Sequence, residues 1–237
     1  MSEDFKHELS QQFARVGKAL SSPNRLELLE YLAQGERSVE ALAQVSGLSV
    51  ANASQHLQQL RQAGLVATRK EGLYVYYRVT GDEVVELMDA LRRVAESNLA
   101  EVERLVRSNL ATRDQMEPLQ GKELLERARA GDLTVLDVRP EEEYAGGHLP
   151  GAVNVPLREL EGRRQGLPKD REVVAYCRGP YCVLAYEAVA RLRERAYRAR
   201  RLEYGYPEWR ADGHPVVEGT EPEGSETPQG DRQEGSV

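Results

Sequence analysis

The chain is poor in sulfur, imidazole and long apolar runs. It has two cysteines and four histidines in 237 residues. No stretch approaches the roughly eighteen apolar residues that a bilayer span requires, and the start, Met1-Ser2-Glu3-Asp4, is acidic rather than basic-then-apolar. A membrane span and a secretory leader are therefore not expected, and the predicted location is the cytoplasm. In a compartment that keeps thiols reduced, two cysteines five positions apart point to reactivity rather than to a structural staple. Excess charge is also scarce where it would carry meaning. The formal net charge is −7, but Glu218 to Val237 holds six acidic groups against one arginine, and residues 1–111 hold 15 acidic against 13 basic side chains. Any nucleic-acid contact must then rest on a local patch and not on a basic domain.

Periodicity divides what remains into two domains. Over Leu9 to Leu65, helical stretches alternate with short breaks: Phe13, Val16 and Leu20 share one face, Ser21-Ser22-Pro23 interrupts, and Leu26, Leu28, Leu29 and Leu32 follow. Ser38 and Ser49 stand where N-caps belong, and Gly35, Gly47 and Gly64 where helices stop. Leu65 to Arg69 and Tyr74 to Val79 alternate apolar and polar residues around Lys70-Glu71-Gly72, which predicts a hairpin. From Asp82 to about Asn109 no helix breaker appears, which predicts one long amphipathic helix with more apolar surface than a small domain covers, and hence a homodimer, the alternative being that its second half lies on the C-terminal domain. Residues 1–111 are thus read as a mainly α winged helix-turn-helix with a long dimerisation helix, 112–118 as a linker, 119–217 as an α/β domain with a parallel sheet flanked by helices, and 218–237 as a disordered acidic tail.

The runs Ala19 to Leu29, Gln55 to Val66 and Tyr74 to Arg78 closely resemble the ArsR family of winged-helix repressors over roughly residues 9 to 110. The resemblance implies a homodimeric transcriptional regulator that binds double-stranded operator DNA. On the predicted recognition helix, Asn52, Ser54, Gln55, His56 and Gln59 carry amide, hydroxyl and imidazole groups suited to base edges in a major groove. Arg61, Arg69, Lys70 and Arg78 are placed for phosphates. Family members that sense metals use a cysteine pair in the stretch that is Glu36 to Leu42 here, which has none, and the long helix has no histidine. No metal and no cofactor are expected, so a signal must enter elsewhere.

The second domain offers an entry point. An apolar strand, Val173 to Tyr176, delivers Cys177 onto the loop Arg178-Gly179-Pro180-Tyr181-Cys182, and Val183 opens a helix. Successive N–H groups at such a junction form a nest that favours a thiolate or persulfide anion, although Pro180 has no donor. Gly179 permits the tight curl, and Arg178 is expected to add a nearby cation. This loop, with Leu136 to Arg139, Glu143 to Asn154 and Gly205 to Trp209, looks like a rhodanese domain over about residues 119–217. The resemblance implies that Cys177 carries a sulfane sulfur as a persulfide, supplied by thiosulfate, polysulfide or a low-molecular-weight persulfide. Asp137, Arg139, Glu143 and His148 are assigned structural roles around the loop, and Trp209 a core role. Where many active members have arginine at the sixth loop position, this chain has Cys182. Two readings stand: Cys182 resolves the Cys177 persulfide to a disulfide or polysulfide bridge, which needs Cα atoms within about 7 Å, or it packs at the helix start. The expected function is a repressor sensing reactive sulfur or redox state at Cys177. The alternative is a thiosulfate or persulfide sulfurtransferase tethered to a DNA-binding domain.

Overall fold

The computed structural model describes residues 3–110 and 117–220. The expected linker and the acidic tail fall largely outside them, at 111–116 and 221–237.

In the N-terminal domain, α1 (Glu3–Leu20) precedes α2 (Pro23–Ala33), which starts with proline in its first turn. That position needs no N–H, and the ring presets the helical φ. After β1 (Arg37–Ser38), the Ser38 hydroxyl accepts from Ala41 N at 3.2 Å and opens α3 (Val39–Ser46). Gly47 ends α3 at φ 68°, and Ser49 caps α4 (Val50–Gln62) by accepting from Asn52 N at 3.3 Å. A left-handed glycine followed two residues later by a capping serine is the tight turn that sets α3 against α4. Leu28, Leu29, Leu32, Leu42, Leu57 and Leu60 form the buried centre of this domain.

The wing is the antiparallel pair β2 (Val66–Glu71) and β3 (Tyr74–Val79), with β1 on the other side of β3. Glu71 pairs with Tyr74, so the turn is Gly72-Leu73, and Lys70 lies in the strand, not in the turn as the sequence reading had it. Gly72 sits at φ 59°, which a two-residue hairpin turn demands.

The long helix is also corrected. It is two helices, α5 (Asp82–Asn98) and α6 (Ala100–Asn109), separated by Leu99 in extended conformation at φ −111° and ψ 101°. Neither glycine nor proline causes the break. Ser97 and Asn98 are weak helix formers, and the Asn98 amide donates to Val94 O at 2.8 Å, a local bond that competes with continuing the helix.

In the C-terminal domain the chain runs α7 (Gly121–Arg129), β4 (Leu133–Asp137), α8 (Glu141–Gly146), β5 (Val153–Asn154), α9 (Leu160–Arg163), β6 (Glu172–Tyr176), α10 (Val183–Glu194), β7 (Ala199–Arg201) and α11 (Tyr206–Ala211). Gly146 ends α8, and Gly147 follows at φ 151°. The strands form one parallel sheet in the order β5-β4-β6-β7. The period-2 alternation of β6 sends Val173, Ala175 and Cys177 to one apolar layer, with Ala188, Val189 and Leu192 of α10. It sends Val174 and Tyr176 to the other, with Leu124 of α7 and Trp209 of α11. The chain leaves β4 toward β5, returns to β6 on the opposite side, and so makes a switch point at the carboxyl ends of β4 and β6, where such sheets place their sites. Among the described residues no helix is long and apolar enough to cross a membrane.

Candidate functional site

Cys177 follows β6 directly and is 1% exposed. Cys182 is the residue before α10 and is partly exposed. The loop between them curls back: Cys182 N donates to Gly179 O at 3.1 Å, and Tyr206 N donates to Cys177 O at 3.0 Å. One N–H that the sequence reading placed in the anion nest is therefore already paired within the loop. The two sulfurs are bonded as a disulfide, with the Cα atoms 6.2 Å apart. Gly205 presses on the curl, since a Cβ there would lie 2.3 Å from Arg178 C and from Gly179 N. No side chain fits between the loop and the start of α11.

Arg178 does not direct its charge at the sulfurs. Its guanidinium grips Glu143, Nη2 to Oε1 at 2.7 Å and Nε to Oε2 at 2.9 Å, and lies over the Tyr31 ring. The same Glu143 oxygen takes Arg37 Nη2 from β1 at 2.7 Å. Glu143 is buried, so one carboxylate clamps two arginines, one from each domain. Asp137 and Arg139 are a fully buried pair: Nη2 reaches Oδ2 at 2.6 Å and Gly147 O at 2.7 Å. Burial disfavours the Arg139 charge, Asp137 favours it, and on balance its pKa is raised. The same burial, with Asp137 beside it, pushes the Tyr176 phenol well above its ordinary value. His148 stacks on Tyr144 and its Nδ1 lies 2.9 Å from Tyr144 O. Trp209 is buried and donates to Pro215 O.

The residues that sequence reasoning missed belong to the junction between the domains. Gln34, 2% exposed at the end of α2, donates to Arg178 O at 3.1 Å and accepts from Arg139 Nη1 at 3.1 Å. It thus touches the cysteine loop and the buried ion pair together. Arg92 of α5 meets Glu208 of α11 at 3.2 Å, Asp82 meets Arg210 at 2.8 Å, and Tyr181 of the loop bonds Glu96. The motif around Glu208 and the loop holding Tyr181 gave a signal, and neither revealed the partner. Between the domains lies a cavity of about 290 Å³, walled by Glu30, Tyr31, Met88 and Arg92 on one side and by Cys182 and Glu208 on the other.

On α4, Asn52, Gln55, Gln59 and Arg61 face outward, while Ser54 is half-buried. His56 is turned inward, 3.3 Å from Asn24 Nδ2, so it is not in the outward row with the other four. Gln59 Oε1 accepts from Arg25 at 2.6 Å, which leaves its NH₂ as the outward group. Arg25, Arg15 and Lys18 line a cleft beside Gln59 and Gln62, a basic cluster the sequence reading did not single out. On the wing, Lys70 and Arg78 are exposed, whereas Arg69 is tied to Glu36 at 2.7 Å and to Glu71 at 2.5 Å.

A family profile for the helix-turn-helix domain matches residues 20–69, and one for the rhodanese-like domain matches residues 120–212. The HTH-type transcriptional regulator Rv0324 of Mycobacterium tuberculosis is 46% identical over 216 residues, covering 91% of this chain and 95% of that protein. The chain belongs to the HTH-type transcriptional regulators, and it carries a rhodanese-like domain. A sulfurtransferase of Allochromatium vinosum is 36% identical over 87 residues, 36% of this chain and 79% of that protein. Among solved structures, the homodimeric winged helix-turn-helix DNA-binding domain of Mb0332 from Mycobacterium bovis is 45% identical and covers 42% of this chain and 92% of that one, with a TM-score of 0.39. Within the rhodanese-like domain of this regulator, the sixth loop position is Cys182 and lines the cavity facing the helix-turn-helix domain.

Proposed function

We propose that this regulator is a cytoplasmic, homodimeric repressor whose affinity for double-stranded operator DNA is set by sulfur chemistry at Cys177 and Cys182. The observation that carries the reading is that the loop holding both cysteines is bonded to the DNA-binding domain through Gln34 and Tyr181, and through the Glu143 clamp on Arg37 and Arg178. A ligand shifts an equilibrium only by its different affinity for two states. A loop whose curl changes when the disulfide opens meets that condition, because its carbonyl and its tyrosine are held by α2 and α5. The operator face would be Asn52, Gln55, Gln59 and Arg61 on α4, with Lys70 and Arg78 of the wing on phosphates. The dimer is supported by an apolar stripe left bare on the single chain: Phe5, Leu9 and Phe13 of α1, 47%, 41% and 66% exposed, and Leu91 and Val94 of α5, 41% and 62% exposed.

Sulfane-sulfur donors of the thiosulfate, polysulfide or low-molecular-weight persulfide class are the proposed effectors. The test is a band-shift titration of an operator with the protein reduced, oxidised and polysulfide-treated. The expected result is a change in affinity of about tenfold or more, a coupling of roughly 1.4 kcal/mol, absent in Cys177→Ser. An identical response of wild type and variant sinks the reading. The likeness to a named sulfurtransferase favours a second reading, turnover from thiosulfate to an acceptor. It requires steady-state activity lost in Cys177→Ala and kept in Cys182→Ala.

A further inference from the structure

Of the two bonded cysteines, Cys182 and not Cys177 lines the interdomain cavity. Cys177 is sealed between β6 and α10, whereas Cys182 is partly exposed and forms part of the wall of the interdomain cavity. We propose that in the oxidised protein this cavity admits a small sulfur nucleophile, hydrosulfide or a low-molecular-weight hydropersulfide, and that the atom it attacks is Cys182 Sγ. The proposal rests on the sulfur-switch reading above and deepens it by reversing the residue that receives the incoming sulfur.

The cavity suits that class of ligand. Its volume, about 290 Å³, is roughly ten times a water molecule's share of the liquid, ample for hydrosulfide or a short persulfide and too small for a folded peptide. Arg92 supplies a cation in the wall, beside Met88 and Tyr31, which give a sulfur anion polarisable and apolar contact. Burial raises the pKa of Glu208, against the pull of Arg92. Glu208 is itself paired with Arg92 at 3.2 Å, so these two charges of the wall offset each other.

Thiol–disulfide exchange goes to whichever sulfur can be reached and releases the better-stabilised thiolate. Hydrosulfide attacks Cys182 Sγ, a new sulfur–sulfur bond forms, and the bond to Cys177 breaks with its electron pair passing to Cys177 Sγ. The products are a Cys182 persulfide and a Cys177 thiolate. The incoming sulfide is oxidised as Cys177 is reduced, so no further oxidant enters. The departing thiolate is left beside the N-terminus of α10, where Cys182 is the N-cap and the free N–H groups and dipole of the helix favour an anion. The persulfide is left in the cavity, between the loop and helices α2 and α5 of the DNA-binding domain.

Trypsin separates the two sites, because Arg178 lies between them. Oxidised full-length protein is exposed to sodium sulfide without oxygen, quenched with iodoacetamide over a short time course, digested and mapped by mass spectrometry. The expected result is one extra sulfur on the peptide that begins at Gly179, with Cys177 alkylated directly, and no extra sulfur on protein first reduced with dithiothreitol. Extra sulfur at the first time point on the peptide ending at Arg178, alone or in equal share, overturns the inference while leaving a cysteine switch intact. No extra sulfur on either peptide overturns both the inference and the sulfur-switch reading.

Discussion

The outward face of α4 and the cysteine loop are both polar, functional-looking surfaces, but they are held in opposite ways. The α4 helix is fixed by its own domain: Ser49 caps it, Ala53, Leu57 and Leu60 bury one side, and Asn52 and Gln55 meet solvent with nothing resting on them. The loop is fixed from both domains at once, by Gly205 pressing from α11 and by Gln34 and Glu96 reaching across. A surface of the first kind can exchange partners without disturbing the fold. A loop of the second kind cannot change shape without moving helices of the other domain, which is what a switch element requires.

The largest effect expected from breaking the contrast is at the buried ion pair behind the loop. Arg139→Leu leaves Asp137 buried without its partner and strips Gln34 of a donor, and such a loss costs about 3–5 kcal/mol. Calorimetry should show the C-terminal domain melting much earlier, with α4 still folded by circular dichroism. Next is Gln34→Ala, which removes both the bond to Arg178 O and the one to Arg139. Unpairing a buried group costs about 1–3 kcal/mol. The sharper readout is coupling: the ratio of operator affinities between reduced and oxidised protein should fall below about twofold, while the disulfide still forms at the wild-type rate. A ratio equal to wild type would place the link elsewhere, at the Glu143 clamp or at Tyr181.

The helix-turn-helix, the wing and the α/β order were legible because each is written locally. Serines stand at N-caps, glycines at turns, and β6 is a short apolar run followed directly by a cysteine. The break at Leu99 was not legible, since it needs no glycine or proline and arises from Asn98 bonding Val94 O. Nor was the junction. Gln34 and Arg139 are 105 positions apart, and Arg37 and Glu143 are 106 apart, so nothing in either segment signals the other. Arg178 shows the limit most plainly. Its place beside Cys177 points to a cation for the sulfur, yet Glu143, buried and already holding Arg37, takes its guanidinium.

On the exposed side of the contrast, Gln59→Ala should leave the melting temperature unchanged and weaken operator binding by roughly tenfold, about 1.4 kcal/mol, within the range for one good base contact. Arg25 holds Gln59 Oε1, so the group offered to DNA is the NH₂ donor, and discrimination should be lost at a base presenting an acceptor in the major groove. Fluorescence-anisotropy titration over single-base operator variants reads this directly.

The smallest effect tests the junction by pH. Glu208 is buried beside Arg92, and burial raises its pKa in the folded protein above the ordinary carboxyl value. A carboxyl so shifted binds its proton more tightly folded than unfolded, so its contribution to stability is unfavourable at neutral pH and is relieved as pH falls through the folded pKa toward the unfolded one. Glu208→Gln removes the titration and retains a side chain able to accept from Gly205 N, which Glu208 Oε2 now does at 3.1 Å. The difference in melting temperature, wild type minus variant, should therefore grow more positive on going from pH 7 to pH 5. A difference that stays flat would mean that Arg92 fully offsets the burial of Glu208.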